Sequence, residues 1–300
     1  MNLRQLEIFH AVMTSGTTVG AAEALGMSQP AVSNAIRHLE LVVGFTLFER
    51  LSNRLVATEE AKLLYARAEP IFQLQQSVNQ SALDIKAGHI GRIRVVATSE
   101  VTESLVPMAM REFLERFPDV FVVLDTKPLH NVLEAVEAGI ADVGFAIDPG
   151  ERHSLLLQPI DELRTVCICS ADSPLSKLPF VTPQDLAQER LICPLSGTRI
   201  AMLLEEAFRK SAIPYEPKVE VRFLNAAARI VQEGWGVALL DEVTATSGHY
   251  SDLTVLPFEP RIPRPLTAIL SRSHAVSRHS REFIRTFTLT TGTRIAEIRG

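Results

Sequence analysis

Residues 18–40, TVGAAEALGMSQPAVSNAIRHLE, decide the fold of the first part of the chain. Val32, Ile36, Leu39 and Val43 recur at helical spacing and predict a buried stripe. At roughly 100° per residue, Pro30, Ser33, Asn34 and Arg37 fall on the opposite side, which is short-chained and polar. Ser28 is a natural N-cap for this helix, its oxygen taking an orphan backbone N–H. Pro30 falls in the first turn, where a missing N–H costs nothing, so it starts the helix rather than breaking it.

Upstream, Gly26-Met27 predicts a turn, and Thr17 or Thr18 can cap a short helix over Val19–Leu25. Residues 3–14 read as a further helix, with Leu3, Leu6, Phe9 and Val12/Met13 on one face. Two helices joined by so short a turn and packed on a third make a helix-turn-helix. Downstream, 45–57 read as a hairpin-like wing with a cationic tip at Ser52-Asn53-Arg54. A long helical pattern follows from Thr58 to Ala87, with Pro70 a candidate kink. Leu64, Ile71, Val78 and Ile85 repeat there every seven residues, a seam suited to a second copy or to packing on its own domain. Gly88 and Gly91 mark its end.

Beyond Gly91, strand patterns (RIRVVATS, FVVLDT, ADVGFAI, LRTVCICS, RLICP, KVEVRFL, GVALLD, LTAILS) alternate with helices. Those helices are predicted at 102–116, 129–138, 199–210, 225–233 and 277–289. Such alternation implies doubly wound α/β architecture, whose ligands bind at the carboxyl ends of strands. Proline-containing segments near 159 and 257–265 suit two crossings between subdomains.

The 300 residues suffice for two or three domains. Three cysteines build no disulfide framework. Cys167 and Cys169 share one strand face and Cys193 is remote in sequence, which suits buried structural thiols better than a metal site. With no leader pattern and no apolar run of membrane-spanning length, the chain reads as a protein of a reducing cytoplasm.

The constellation NLRQLEIFHAVM, AAEALGMSQPAVSNAIRHLE, GFTLFER and TEEA resembles the N-terminal domain of LysR-type transcriptional regulators, and the resemblance extends over nearly the full length. EIFHAVM and TEEAKLL resemble the branch holding the lysine-biosynthesis and opine-catabolism regulators. The resemblance implies a winged helix-turn-helix over 1–58, a dimerising linker helix over 59–88 and a periplasmic-binding-protein-like effector domain over 89–300. That domain would comprise one subdomain of 91–161 with 267–300 and another of 162–266. It implies a DNA-binding regulator modulated by a small molecule, with no cofactor, assembling as a homodimer or homotetramer. Gly20 and Asn34 stand where the family often has a larger or cationic residue, so a phosphate contact and the preferred operator bases are expected to differ.

By face and by resemblance, Gln29, Pro30, Ser33 and Asn34 are expected at base edges. Thr18, Ser28, Arg37, Arg50 and Arg54 are expected at phosphates. From Met1 to Tyr65 five Lys/Arg face six Asp/Glu, and the whole chain carries −5. Few phosphate contacts per copy then imply weak nonspecific binding, and useful affinity through several copies acting together.

Effector contacts are expected where strands end in hydroxyls just before helices: Thr98, Ser99 and Thr126, then Ser196, Gly197 and Thr198, with Asn225. Glu100 or Asp148 beside an anion site is costly unless the ligand also carries a cation. An amino-acid-like or amine-bearing ligand meets that condition.

A solute-binding receptor explains residues 91–300 but leaves the first ninety without a role. An enzyme is disfavoured, since no phosphate loop, nucleophile elbow or metal-ligand spacing occurs.

Overall fold

Three side-chain caps set the first helices. Asn2 accepts the N–H of Gln5 and opens α1 (Leu3–Ser15). Thr17 accepts from Gly20 at the start of α2 (Thr18–Leu25), and Ser28 accepts from Ala31 at the start of α3 (Gln29–Val43). Gly26 follows α2 at φ +61°, the left-handed turn that lets α3 fold back on its neighbours. In this computed structural model, residues 1–51, 54–86, 91–247, 250 and 252–300 are described. The chain forms two compact units, Met1–Leu83 and Asp84–Gly300.

The first unit closes around Phe9, Val12, Ala21, Val32, Ile36, Leu39 and Leu47. Apart from Ala21, each such side chain is worth about 1.5–3 kcal/mol when fully buried. Two sequence expectations shift: Leu3 is exposed while Ile8 is buried, and Val43 is only partly covered. The wing is an antiparallel pair, β1 (Phe48–Leu51) and β2 (Arg54–Ala57), with Phe48 opposite Ala57. Its tip residues Ser52 and Asn53, and the side chains of Arg50 and Arg54, lie outside the described residues.

Thr58 Oγ1 accepts the N–H of Ala61 at 3.1 Å and starts α4 (Glu59–Lys86), which runs through Pro70. Leu64 packs on the unit's own core, whereas Ile71 and Val78 are exposed. The Ile85 side chain and Gly88 lie outside the described residues.

The second unit follows the chain through β3 (Arg92–Ala97), α5 (Ser99–Ser104), α6 (Val106–Arg116), β4 (Phe121–Thr126), α7 (Leu129–Glu137) and β5 (Val143–Ile147). There follow β6 (Leu155–Ser170), α8 (Pro183–Leu186), β7 (Leu191–Pro194), α9 (Arg199–Lys210), β8 (Val219–Val221) and α10 (Leu224–Gln232). The last elements are β9 (Val237–Asp241), α11 (Glu242–Ala245), β10 (Leu253–Pro257), β11 (Pro263–Ser271) and α12 (Arg278–Arg299).

They build one mixed sheet, ordered β4-β3-β5-β11-β6-β9-β7-β8, with β10 also on β6. β4-β3-β5 and β8-β7-β9 are parallel triplets, joined by the antiparallel crossing strands β11 and β6. The crossing read near 159 lies within the continuous strand β6, while in the segment read at 257–265 β10 ends at Pro257 and β11 begins at Pro263. β6 pairs with β11 through Arg164, then with β9 from Thr165.

Two predicted helices differ. The pattern at 102–116 is two helices meeting at Leu105, because Pro107 opens α6 and cannot donate to a preceding turn. The helix predicted to end at 289 runs on to Arg299. Its threonines are weak helix formers, but Thr288 and Thr290 return their hydroxyls to the carbonyls of Ile284 and Thr286.

Cys193, remote in sequence, joins Cys167 and Cys169 in one buried cluster, because β7 and β6 both flank β9. Burial raises all three thiols, Cys193 to about 11. No helix of the described residues is long and apolar enough to cross a membrane.

Candidate functional sites: a polar helix face and an ionic cavity

Because Val32, Ile36 and Leu39 turn inward, α3 presents its other side to solvent. Ser28, Pro30, Asn34 and Arg37 are exposed there, and Gln29 and Ser33 are half-buried. Gln29 Nε2 lies 2.8 Å from Ser33 Oγ and 3.2 Å from Thr18 Oγ1. Thr18, expected at phosphates, is thus also engaged inside the protein, on the residue expected at base edges. Glu40 Oε1 accepts the N–H of Leu47 at 2.8 Å and of Phe48 at 3.3 Å, holding the start of the wing against α3.

The second unit encloses a cavity of about 380 Å³ at the carboxyl ends of its parallel strands. Thr98, Ser99 and Glu100 line it from the end of β3, and Asp148 from the end of β5. Gly197, Thr198 and Arg199 come from the start of α9, and Arg264 from β11. Lys127, His130, Arg222 and Phe223 complete its wall among apolar neighbours. Of the expected effector contacts, Thr98, Ser99, Glu100, Asp148, Gly197 and Thr198 are brought together.

Three expected contacts lie elsewhere. Thr126 is exposed at the end of β4, one residue before the chain reaches the cavity at Lys127. The Ser196 N–H and hydroxyl are both taken by the Glu220 carboxylate, which turns them away. Asn225 lines a different hollow, with Glu103, Arg229 and Tyr250. Sequence reasoning missed Arg264; its signal was a cation set between two prolines at the head of an apolar strand.

The cavity is ionic at its base. Arg264 is buried, and burial lowers its pKa against the opposing pull of Asp241, Asp148 and Glu100. Burial, then the nearby Asp241, raises the Glu100 carboxyl; burial likewise raises Asp241, offset first by Arg264. Asp148 pairs through Oδ1 with Arg199 Nε at 2.8 Å. Ser99 Oγ, Asp148 Oδ2 and Arg264 Nε and Nη1 are buried without a hydrogen-bond partner. Each such group costs about 1–3 kcal/mol when left unmatched. Donors and acceptors of both signs therefore await a partner in one small space. No cluster of metal-ligating residues occurs among the described residues.

Two protein-family descriptions match the chain: "Bacterial regulatory helix-turn-helix protein, lysR family" over 3–62 and "LysR substrate binding domain" over 86–289. The regulatory protein NocR of Agrobacterium fabrum is 31% identical over 280 residues, 93% of each chain. The octopine catabolism/uptake operon regulatory protein OccR of Rhizobium meliloti is 32% identical over 287 residues, 94% of this chain and 95% of that one. The fold is shared with the crystal structure of CbnR, a LysR family transcriptional regulator. That structure is 20% identical with a TM-score of 0.73, covering 97% of this chain and 99% of that one.

An N-terminal helix-turn-helix followed by a substrate-binding domain defines a ligand-responsive, DNA-binding regulator of transcription. The chain belongs to the LysR family of such regulators.

Proposed function

We propose that this regulator reads its operator with the exposed side of α3 and senses an amino-acid-derived effector in the ionic cavity. The single observation that carries the effector reading is the buried Arg264 guanidinium with two unmatched nitrogens, beside Asp148 with an unmatched oxygen. The first calls for a carboxylate and the second for an ammonium. The volume, about a dozen waters' worth, suits an amino acid with a sizeable substituent. OccR, among the relatives, is named for octopine, itself an amino-acid derivative bearing amines and carboxylates.

On the DNA, Gln29, Pro30, Ser33 and Asn34 meet base edges, while Ser28, Arg37 and the wing arginines Arg50 and Arg54 meet phosphates. Thr18 adds a phosphate contact beside its bond to Gln29. The domain limits are 1–58, 59–88 and 89–300. Exposed Ile71, Leu74 and Val78 on α4, at helical spacing, support pairing of two copies along this helix. The reading is of a cytoplasmic binding protein rather than an enzyme.

Thermal shift of the full chain with L-amino acids and N-carboxyalkyl amino acids tests the effector, since a specific binder raises Tm with occupancy. Gel shift against promoter fragments, that of its own gene included, tests the DNA face. Ser33→Ala and Asn34→Ala should lose discrimination between operator and unrelated DNA; unchanged discrimination in both removes the α3 assignment.

A further inference from the structure

Arg199 and Asp148 are joined from opposite sides of the cavity. Asp148 follows β5, in the β4-β3-β5 half of the sheet, and Arg199 opens α9, in the β8-β7-β9 half. The cationic member sits where the local field does not favour it. Arg199 is the first residue of a twelve-residue helix, the positive end of the helix dipole, where a cation is disfavoured. Asp148 holds φ +54°, a left-handed conformation that Asp tolerates better than most L-residues.

Nor is the pair complete. Asp148 is 6% exposed and uses one oxygen on Arg199, leaving Oδ2 unmatched. Arg199 is 61% exposed, and Arg264 nearby has two unmatched nitrogens.

We propose that the Arg199–Asp148 ion pair is exchanged for the ligand: a zwitterion enters between the two, its ammonium taking Asp148 and its carboxylate taking Arg199 together with Arg264. This rests on the amino-acid reading of the cavity given above.

The charge balance favours exchange. A zwitterion replaces one ion pair with two and adds no net charge. It also supplies the donor that Asp148 Oδ2 lacks and the acceptor that Arg264 lacks. A simple carboxylate draws Arg199 away and leaves Asp148 without its ion-pair partner. A simple amine meets Asp148 but leaves Arg264 unmatched. The cavity therefore selects for both charges on one molecule.

The exchange is also a signal. With the pair intact, the end of β5 and the start of α9 are held at ion-pair contact, 2.8 Å. With a zwitterion between them, their separation is set by the length of the ligand.

Isothermal titration of the full-length protein tests this with L-amino acids, N-(1-carboxyethyl)-L-arginine and the 2-oxo acids matching the amino acids. Expected is at least tenfold tighter binding of an amino acid than of its 2-oxo acid. Asp148→Asn should weaken the amino acid at least tenfold while leaving the 2-oxo acid as tight or tighter. Arg199→Gln, at an exposed position, should weaken both. An amino acid bound by wild type and held by Asp148→Asn within threefold overturns the exchange while the effector reading stands, as does Arg199→Gln binding both as wild type does. A wild type that binds none of the zwitterions removes the effector reading and the exchange with it.

Discussion

The Thr18 hydroxyl, on the helix before the turn, lies 3.2 Å from the side-chain amide of Gln29 on the helix after it. Together with Ser33 it holds Gln29 from two sides. Thr18→Val keeps the shape and removes the bond. Operator affinity should fall about fivefold, the worth of one hydrogen bond of ~1 kcal/mol. Thr18→Ser should recover most of it. With Gln29 at a base edge, as proposed, competition gel shifts with single-base operator variants should show discrimination relaxing at one base position.

Glu40 receives two backbone N–H groups from the start of the wing. Glu40→Ala leaves both donors without an acceptor, and should cost roughly 1–3 kcal/mol of first-unit stability. Glu40→Gln retains an acceptor oxygen and should cost less. Urea unfolding followed by circular dichroism separates the two.

At Gly236 the φ is +71°, and a Cβ built there would stand 2.1 Å from the Arg190 carbonyl oxygen. The segment EGWGVALL, residues 233–240, is thus a close approach of two backbones at the head of β9. Gly236→Ala should cost about 3–5 kcal/mol, in the range reserved for forced backbone movement. Little folded protein at 37 °C is the expected readout.

The buried Glu242 accepts from Arg299 at 2.6 Å and from the Arg164 N–H at 2.8 Å. Arg299→Ala removes the cation and leaves a carboxylate 3% exposed with no countercharge. A loss of about 3 kcal/mol is expected, less what the backbone donor and residual hydration return. The double variant Arg299→Ala with Glu242→Gln should be more stable than Arg299→Ala alone.

Glu100 gives a pH dependence. Its carboxyl is raised from 4.5, so the fold favours the protonated form. That contribution is fully present below pH 4.5 and is lost as pH rises through the elevated value. Glu100→Gln should therefore be more stable than wild type near pH 7, with the advantage vanishing toward pH 4. Denaturant midpoints measured from pH 4 to 8 check the sign.

What was legible in the sequence was local. Ser28, Pro30 and Gly26 act within a few residues of themselves, so the turn and both helix starts could be read directly. The cavity depended on distant partners. Ser196 carries the same hydroxyl-before-helix signal as Thr198, yet Glu220, 24 residues away, claims it. Arg264 matters because β11 returns to lie beside β6, a long-range pairing that no local pattern announces. Cys193 meets Cys167 and Cys169 for the same reason. The overlong α12 was hidden by its threonines, whose low propensity is overcome by bonds to the preceding turn.

The sixteen-residue strand β6 has one further consequence. It belongs to both halves of the sheet and changes partners between Arg164 and Thr165 without an intervening loop. A twist of one half against the other must then be taken up as torsion in this continuous ribbon. Leu163 lies opposite Arg264 and Thr165 opposite Asp241. The buried charges of Arg264 and Asp241 are thereby mounted against the one strand through which any such twist would pass.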